Sequence, residues 1–279
     1  MRVRIVTDSS CDLPEAACEE LGIEVVPLSI RFGEREYVDR KELSVEAFWR
    51  ELEASSVLPE TAAPSVGAFE EVFRRLSEEG TDGIVCINLS SRLSATMQSA
   101  EVAAKALEGK TPIEIVDSLS ASMGIGNLVL YAARRARDGA TVEEIVEEVE
   151  DRRDRQHVFA TVDTLEYLRK GGRIGGAQAF LGSVLSIKPV ISVVDGVVEP
   201  AGKVRTRSKA LQAVVDHIPE GKVEMISVLH ANAPDIDEFL AMVEPKVPDA
   251  EVLVGIIGPV VGVHAGPRVI GVAYVQRPD

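Results

Sequence analysis

Aromatic side chains are scarce, at 4 % of the 279 residues. Platforms that stack nucleic-acid bases are built from such rings, so a single-strand binder is disfavoured. Basic residues are outnumbered 45 to 30, a formal net charge of −15. A field of that sign repels phosphate backbones and anionic membrane surfaces, and nucleic acid is not an expected partner. Cysteine is limited to Cys11, Cys18 and Cys86, with no CxxC pair. That is too few for a disulfide framework and the wrong spacing for structural zinc; the three read as thiols of a reducing cytoplasm. No signal-peptide core follows Met1. The longest uncharged run, Val252 to Pro267, is cut by Gly255, Gly258, Pro259 and Gly262. A membrane-spanning helix needs about 20 apolar residues, so stable membrane insertion is not expected. The run reads instead as buried strands joined by a glycine turn. P-loop, dinucleotide and G-x-S-x-G patterns are also missing, and no cofactor or metal is expected.

What remains is a globular chain, 46 % hydrophobic and 27 % charged, long enough for two domains. Its first half alternates strand and helix signals. Val3 to Thr7 is a short strand that ends in Asp8-Ser9-Ser10, after which Asp12 is placed to cap a helix with Pro14 in its first turn. Ser44 and Ser65 open amphipathic helices. Ile84 to Leu89 is an apolar run without alternation, as in a strand covered on both faces. Ser94 opens a helix to about Leu107, Ile113 to Val116 is a strand, and Ser120 to Ala136 is helical. These units predict a doubly wound, mostly parallel sheet with helices on both faces, spanning residues 1–156. The acid-rich helix from Val142 to about Arg155 is expected to be a solvated linker. Beyond it the pattern is α+β, residues 157–279, and includes a hairpin turning at Asp195-Gly196.

In open α/β sheets ligands bind beyond the carboxyl ends of the strands. Those ends are rich in hydroxyls here: Asp8-Ser9-Ser10, Ser90 to Thr96, and Asp117-Ser118, joined by Thr61 to Ser65 before a helix. Helix starts offer unpaired N–H groups that suit a carboxylate or phosphate. Ser65 and Ser94 are equally well explained as N-caps, and His264, in an apolar glycine-rich stretch, as a hydrogen-bonded core histidine. Two further readings stay open at this level. One is a stand-alone hydrolase or transferase with Ser94 or Ser9 as nucleophile and His264 as base; the other is a small-anion sensor.

Taken together, the motifs resemble those of the DegV family of bacterial fatty-acid-binding proteins, over nearly the whole chain. The resemblance rests on Thr7 to Pro14, Thr61 with Pro64-Ser65, Ser90 to Thr96, Val116-Asp117-Ser118 and Thr164 to Ile174. It continues through Ile187-Lys188-Pro189, Val204-Arg205-Thr206, Gly258-Pro259 and His264 to Pro267. It implies two domains with one long-chain fatty acid enclosed between them, and a monomer. It implies, further, a non-catalytic subunit that presents the fatty acid to a separate ATP-dependent kinase subunit, which makes acyl phosphate. By this likeness Thr61 and Ser94 hydrogen-bond the carboxylate with Ala95 N–H and Thr96 close by, His264 completes the polar network, and Lys170 and Arg173 meet the kinase or its phosphates.

Two positions depart from the family pattern. Ala95 stands where glycine is usual between the Ser and Thr, and Arg268 stands where Gly-Pro-Gly would place its second glycine. If that glycine needs positive φ, Arg268 must be accommodated differently, or pair with a carboxylate. Charge is also uneven: residues 157–209 hold eight basic against four acidic side chains, a basic island containing Lys170 and Arg173.

Overall fold

The computed structural model describes residues 2–107, 109, 111–182 and 187–278. Its strands are β1 (Val3–Asp8), β2 (Glu24–Val26), β3 (Ser29–Phe32), β4 (Arg35–Val38), β5 (Glu60–Ala62), β6 (Gly83–Asn88) and β7 (Ile113–Asp117) in the first half. The second half adds β8 (Gln156–Thr161), β9 (Lys188–Val194), β10 (Val197–Val204), β11 (Val223–His230), β12 (Val252–Ile256) and β13 (Ile270–Gln276). The helices are α1 (Glu15–Leu21), α2 (Val45–Ala54), α3 (Val66–Glu78), α4 (Thr96–Lys105), α5 (Met123–Arg137), α6 (Val142–Asp154), α7 (Glu166–Lys170), α8 (Arg207–Val215), α9 (Ile236–Val243) and α10 (Pro259–Ala265).

The first sheet is all parallel, in the order β2-β1-β6-β7. Parallel strands need crossovers, and crossover helices cover both faces, which explains the uninterrupted apolar run in β6. Alternate side chains of β6 go to opposite faces. Ile84 and Cys86 join Phe69, Phe73, Ala100 and Ala103 of α3 and α4 in one core. Val85 and Ile87 join Leu128, Val129, Ile145 and Val149 of α5 and α6 in the other. The doubly wound expectation holds. The second sheet is mixed, in the order β10-β9-β8-β13-β11-β12, antiparallel except for β11–β12. α8 and α9 cover one of its faces with Leu211, Val214 and Phe239. A third sheet, β4-β3-β5, is small and antiparallel.

Five local expectations need correction. Asp12 does not cap the helix that follows it: it sits at φ +54 after a 3-10 turn, with its carboxylate turned inward, and Pro14 precedes α1. Ser94 lies one residue outside the helix start, where Ala95 occupies the cap position, and α5 begins at Met123 rather than Ser120. α6 is no solvated linker, because its Val142, Ile145 and Val149 are buried while Glu143, Glu144, Glu147, Glu150 and Asp151 are exposed; reading the charge alone hid that stripe. Finally, the run from Val252 is not two strands. It is β12 followed by α10, whose Pro259 takes the first helical position, where its missing N–H costs nothing. No helix among the described residues is long and apolar enough to cross a membrane.

Candidate functional site

A slender cavity of 110 Å³ lies between α10, β8, the β9–β10 hairpin and the loop after β6. One water needs about 10–15 Å³ measured this way, so the slot takes several water-sized groups. Its walls are apolar: Leu28, Leu89, Leu93, Ala121, Val158, Ala160, Leu168, Ile191, Val193, Val198, Leu229, Ile257, Val260, Val261, Ala265 and Val269. Among the described residues, polar side chains enter at five places, Thr61, Ser94, Ser122, Arg173 and His264. Thr61, Arg173 and His264 also line a second, outer hollow with Tyr167, Lys170 and Gly171. The three therefore stand at the boundary between slot and surface.

Each polar group is held by a local cause. Thr61 is in β5, paired with Ile30 of β3. Its Oγ1 lies 2.9 Å from His264 Nε2. Burial, with a smaller contribution from the Arg173 charge, pushes the His264 imidazole down to about 4, so it is neutral near pH 7. Its Nδ1 is buried without a partner. A bare lone pair is cheaper to bury there than an orphaned N–H, so the proton belongs on Nε2. His264 then donates to Thr61, and the Thr61 hydroxyl proton is free to point into the slot. Gly171 makes room for the ring: a Cβ there would stand 2.2 Å from Nδ1.

The loop bearing Ser94 is fixed from beneath. Asp8, fully buried, accepts from Leu89 N–H at 2.8 Å and from Asn88 Nδ2 at 3.1 Å. Ser94 Oγ is 2.9 Å from Thr96 Oγ1, and Thr96 is buried. Arg173 closes the loop from outside, with Nε donating to Leu93 O at 3.0 Å and Nη1 to Gly171 O at 2.7 Å. Ser90 Oγ donates to Gly196 O at 2.8 Å, which seats the hairpin tip on the same loop.

The structure thus brings Thr61, Ser94, His264 and Arg173 to one slot. Thr96 stands behind Ser94. Ala95 is exposed at φ −79, an ordinary conformation for alanine. Lys170 is at the outer hollow, 2.6 Å from Glu166. Arg268 has φ +62, the conformation a glycine would favour, and its Nε lies 3.5 Å from Asp163; it is not among the slot residues. Within the basic island Lys188 and Arg207 also lean on Asp163. Ser122 was not anticipated as a wall residue; nothing in its local sequence marks it. No group of three or more His, Cys, Asp or Glu among the described residues is placed to hold a metal.

The residues that match a known pattern cover almost the entire chain. Residues 2–277 fit the family model described as "Uncharacterised protein, DegV family". The chain belongs to the DegV family. A DegV domain-containing protein of Streptomyces coelicolor is 40 % identical over 280 residues, 99 % of each chain. Among solved structures, a DegV family protein from Thermus thermophilus, described for its fatty acid binding, is 34 % identical with a TM-score of 0.89. It is covered over 100 % of its length and 99 % of this chain. A stearic acid-binding protein from Eubacterium ventriosum is 28 % identical with a TM-score of 0.90, covering 99 % of this chain and 98 % of its own. The slot is therefore found in a fold whose solved relatives include fatty-acid binders.

The low pKa of His264 makes a testable contribution to stability. An unfolded histidine takes up its proton near pH 6.5, whereas the folded one resists until about pH 4. The contribution is complete above pH 6.5 and is lost as pH falls towards 4. Asp12 and Asp39, raised by burial to about 7 and about 6, act in the opposite sense. The test is therefore a difference: His264→Gln is expected to destabilise less on acidification than the parent between pH 6.5 and 4, measured by urea midpoints. Identical slopes would refute the buried neutral imidazole.

Proposed function

We propose that this protein binds one long-chain fatty acid in the slot and presents its carboxylate to a separate ATP-dependent kinase subunit, which converts it to acyl phosphate. The observation that carries this reading is an apolar slot ended by the Thr61–His264 pair and Ser94. Each methylene placed in it contributes about 0.8 kcal/mol, and the carboxylate meets hydroxyl donors instead of being stranded. The chain is proposed to work in the cytoplasm, as a monomer of two units that meet near residue 156 with the lipid between them. Walls drawn from both halves, such as Leu93 and Val193, support that division.

A stand-alone Ser/His hydrolase is supported less well. His264 bonds Thr61 rather than Ser94, and its Nδ1 lacks the carboxylate that orients a catalytic base. Ser9 Oγ accepts from Leu28 N–H and is not a slot residue. A small-anion sensor has no use for sixteen apolar wall residues.

Lys170 and Arg173 are proposed to face the kinase. Arg173 also clamps the Ser94 loop, so Lys170, half exposed, separates docking from binding. The test combines the chain, a fatty acid, ATP and the kinase subunit, and traps acyl phosphate with hydroxylamine. Hydroxamate is expected only when the chain is present. Lys170→Glu is expected to slow its formation about tenfold while leaving fatty-acid affinity within about threefold. Hydroxamate formed equally without the chain would reject the presentation role.

A further inference from the structure

The start of α10, the helix that carries His264, is hydrogen-bonded to a carboxylate from the opposite end of the chain. Asp12 is 2 % exposed. Its Oδ1 accepts the Gly258 N–H at 2.8 Å, and its Oδ2 accepts the Ser122 hydroxyl at 2.5 Å. Arg40 approaches Oδ1 with Nη2 at 3.5 Å while its Nη1 donates to Leu13 O at 2.7 Å. Gly258 is the residue before α10 and has no side chain with which to cap it. Pro259 has no N–H, so the Gly258 N–H is the first at this helix start, and it finds its acceptor 246 residues away in sequence. α10 is the element that carries Val260, Val261, His264 and Ala265 into the slot, and Ser122 is another slot wall. One buried carboxylate thus ties two walls to the end of β1.

The local backbone is shaped for this contact. Asp12, Arg40 and Ser122 all have positive φ, at 54°, 61° and 56°. Non-glycine residues adopt this region at a cost, and three in one hydrogen-bonded cluster persist only where the surroundings hold them. A Cβ at position 258 would stand 2.8 Å from Asp12 Oδ1, closer than carbon approaches oxygen. The partner of this carboxylate is therefore the bare backbone of glycine.

We propose that Asp12 is a positioning residue for the headgroup site: by holding the first N–H of α10 it sets the position of that helix, and so the hydrogen bond between His264 and Thr61. The proposal rests on the fatty-acid reading for its consequence in affinity, but not for its geometry. Asp12 touches no slot ligand itself; its effect passes through α10.

The experiment compares the full-length parent, Asp12→Asn, Asp12→Ala and Gly258→Ala by two readouts. The first is the ¹⁵N spectrum of the His264 ring in lipid-free protein, which distinguishes the Nε2–H from the Nδ1–H tautomer. The second is affinity for decanoate and for oleate. Asp12→Asn keeps an acceptor for Gly258 N–H; it is expected to retain the Nε2–H signature and affinity within about threefold. Asp12→Ala is expected to lose that signature and about tenfold in affinity, equally for both acids, because the headgroup and not the acyl wall is disturbed. Gly258→Ala, which keeps the carboxylate but crowds it, is expected to move the spectrum in the same way and decides the matter if Asp12→Ala does not fold. Parental spectra in both Asp12→Ala and Gly258→Ala would overturn the proposal, as would an affinity loss that grows with acyl length. A parent that binds neither acid would reject the fatty-acid reading while leaving the spectral test of Asp12 intact.

Discussion

Val193→Trp is expected to lower fatty-acid affinity more than about 100-fold while leaving the melting temperature unchanged or higher. Val193 sits on β9, is only partly buried, and faces the slot from the hairpin. An indole in place of an isopropyl group fills much of the 110 Å³ that the acyl chain would occupy. Two terms then act in opposite directions. The ligand loses the burial of several methylenes at about 0.8 kcal/mol each, and about four already exceed two decades in affinity. The protein gains burial of the indole against the apolar slot walls, which offsets the strain of the larger side chain. Fluorescent fatty-acid displacement reads the first quantity and differential scanning calorimetry the second. A variant that loses both binding and stability has been overpacked; one that binds as the parent does places the acyl chain elsewhere.

The second large effect belongs to the headgroup. Removing both hydroxyls, in Thr61→Ala with Ser94→Ala, is expected to weaken binding about 10- to 100-fold for decanoate and oleate alike. Each hydrogen bond to a charged group is worth roughly 1.5–3 kcal/mol, part of which water recovers at the slot mouth. Thr61 matters in a second way. Its proton is free to meet the ligand only because His264 supplies the other hydrogen bond, so Thr61→Val, which keeps the shape and loses the hydroxyl, also strands the His264 N–H. The single Thr61 variant is therefore expected to cost more than the single Ser94 variant, since Ser94 leaves behind Thr96, a hydroxyl that can turn to another partner. Equal affinities for parent and double variant, by isothermal titration, would remove these residues from the site.

Much of this was legible in the chain. Ser44 and Ser65 announce their helices because an N-cap is a bond to an N–H three residues on, made within one turn: each accepts from the predicted amide. The covered run at Ile84 is equally local, since both faces of β6 are filled by helices adjacent in sequence. Asp195-Gly196 turns a hairpin because those two residues accept positive φ. Thr61, Ser94 and His264 were visible as a set only through the resemblance, because the contact between the first and last spans 203 residues. What was illegible depends on distant partners. α10 lies in a stretch with apolar residues on every side and glycines at 258 and 262, so no period marks it. Its start is held by Asp12 and its flank by Trp49, whose Nε1 donates to Ile257 O at 3.1 Å. β5, three residues long, exists because β3 pairs with it. The fate of Arg173 was likewise hidden: a surface arginine by composition, it spends two of its donors on backbone carbonyls of the site itself.

The central claim is that an acyl chain lies in this slot with its carboxylate at Thr61 and Ser94. Mass spectrometry of the purified chain tests it most directly, run under native conditions and again after denaturation, beside Val193→Trp prepared in the same way. The account predicts a native mass exceeding the polypeptide by one long-chain fatty acid, release of that acid on denaturation in near-equimolar amount, and its loss from Val193→Trp. A parent that carries no fatty acid and takes up none when oleate is added, or a Val193→Trp variant that carries as much as the parent, would contradict it.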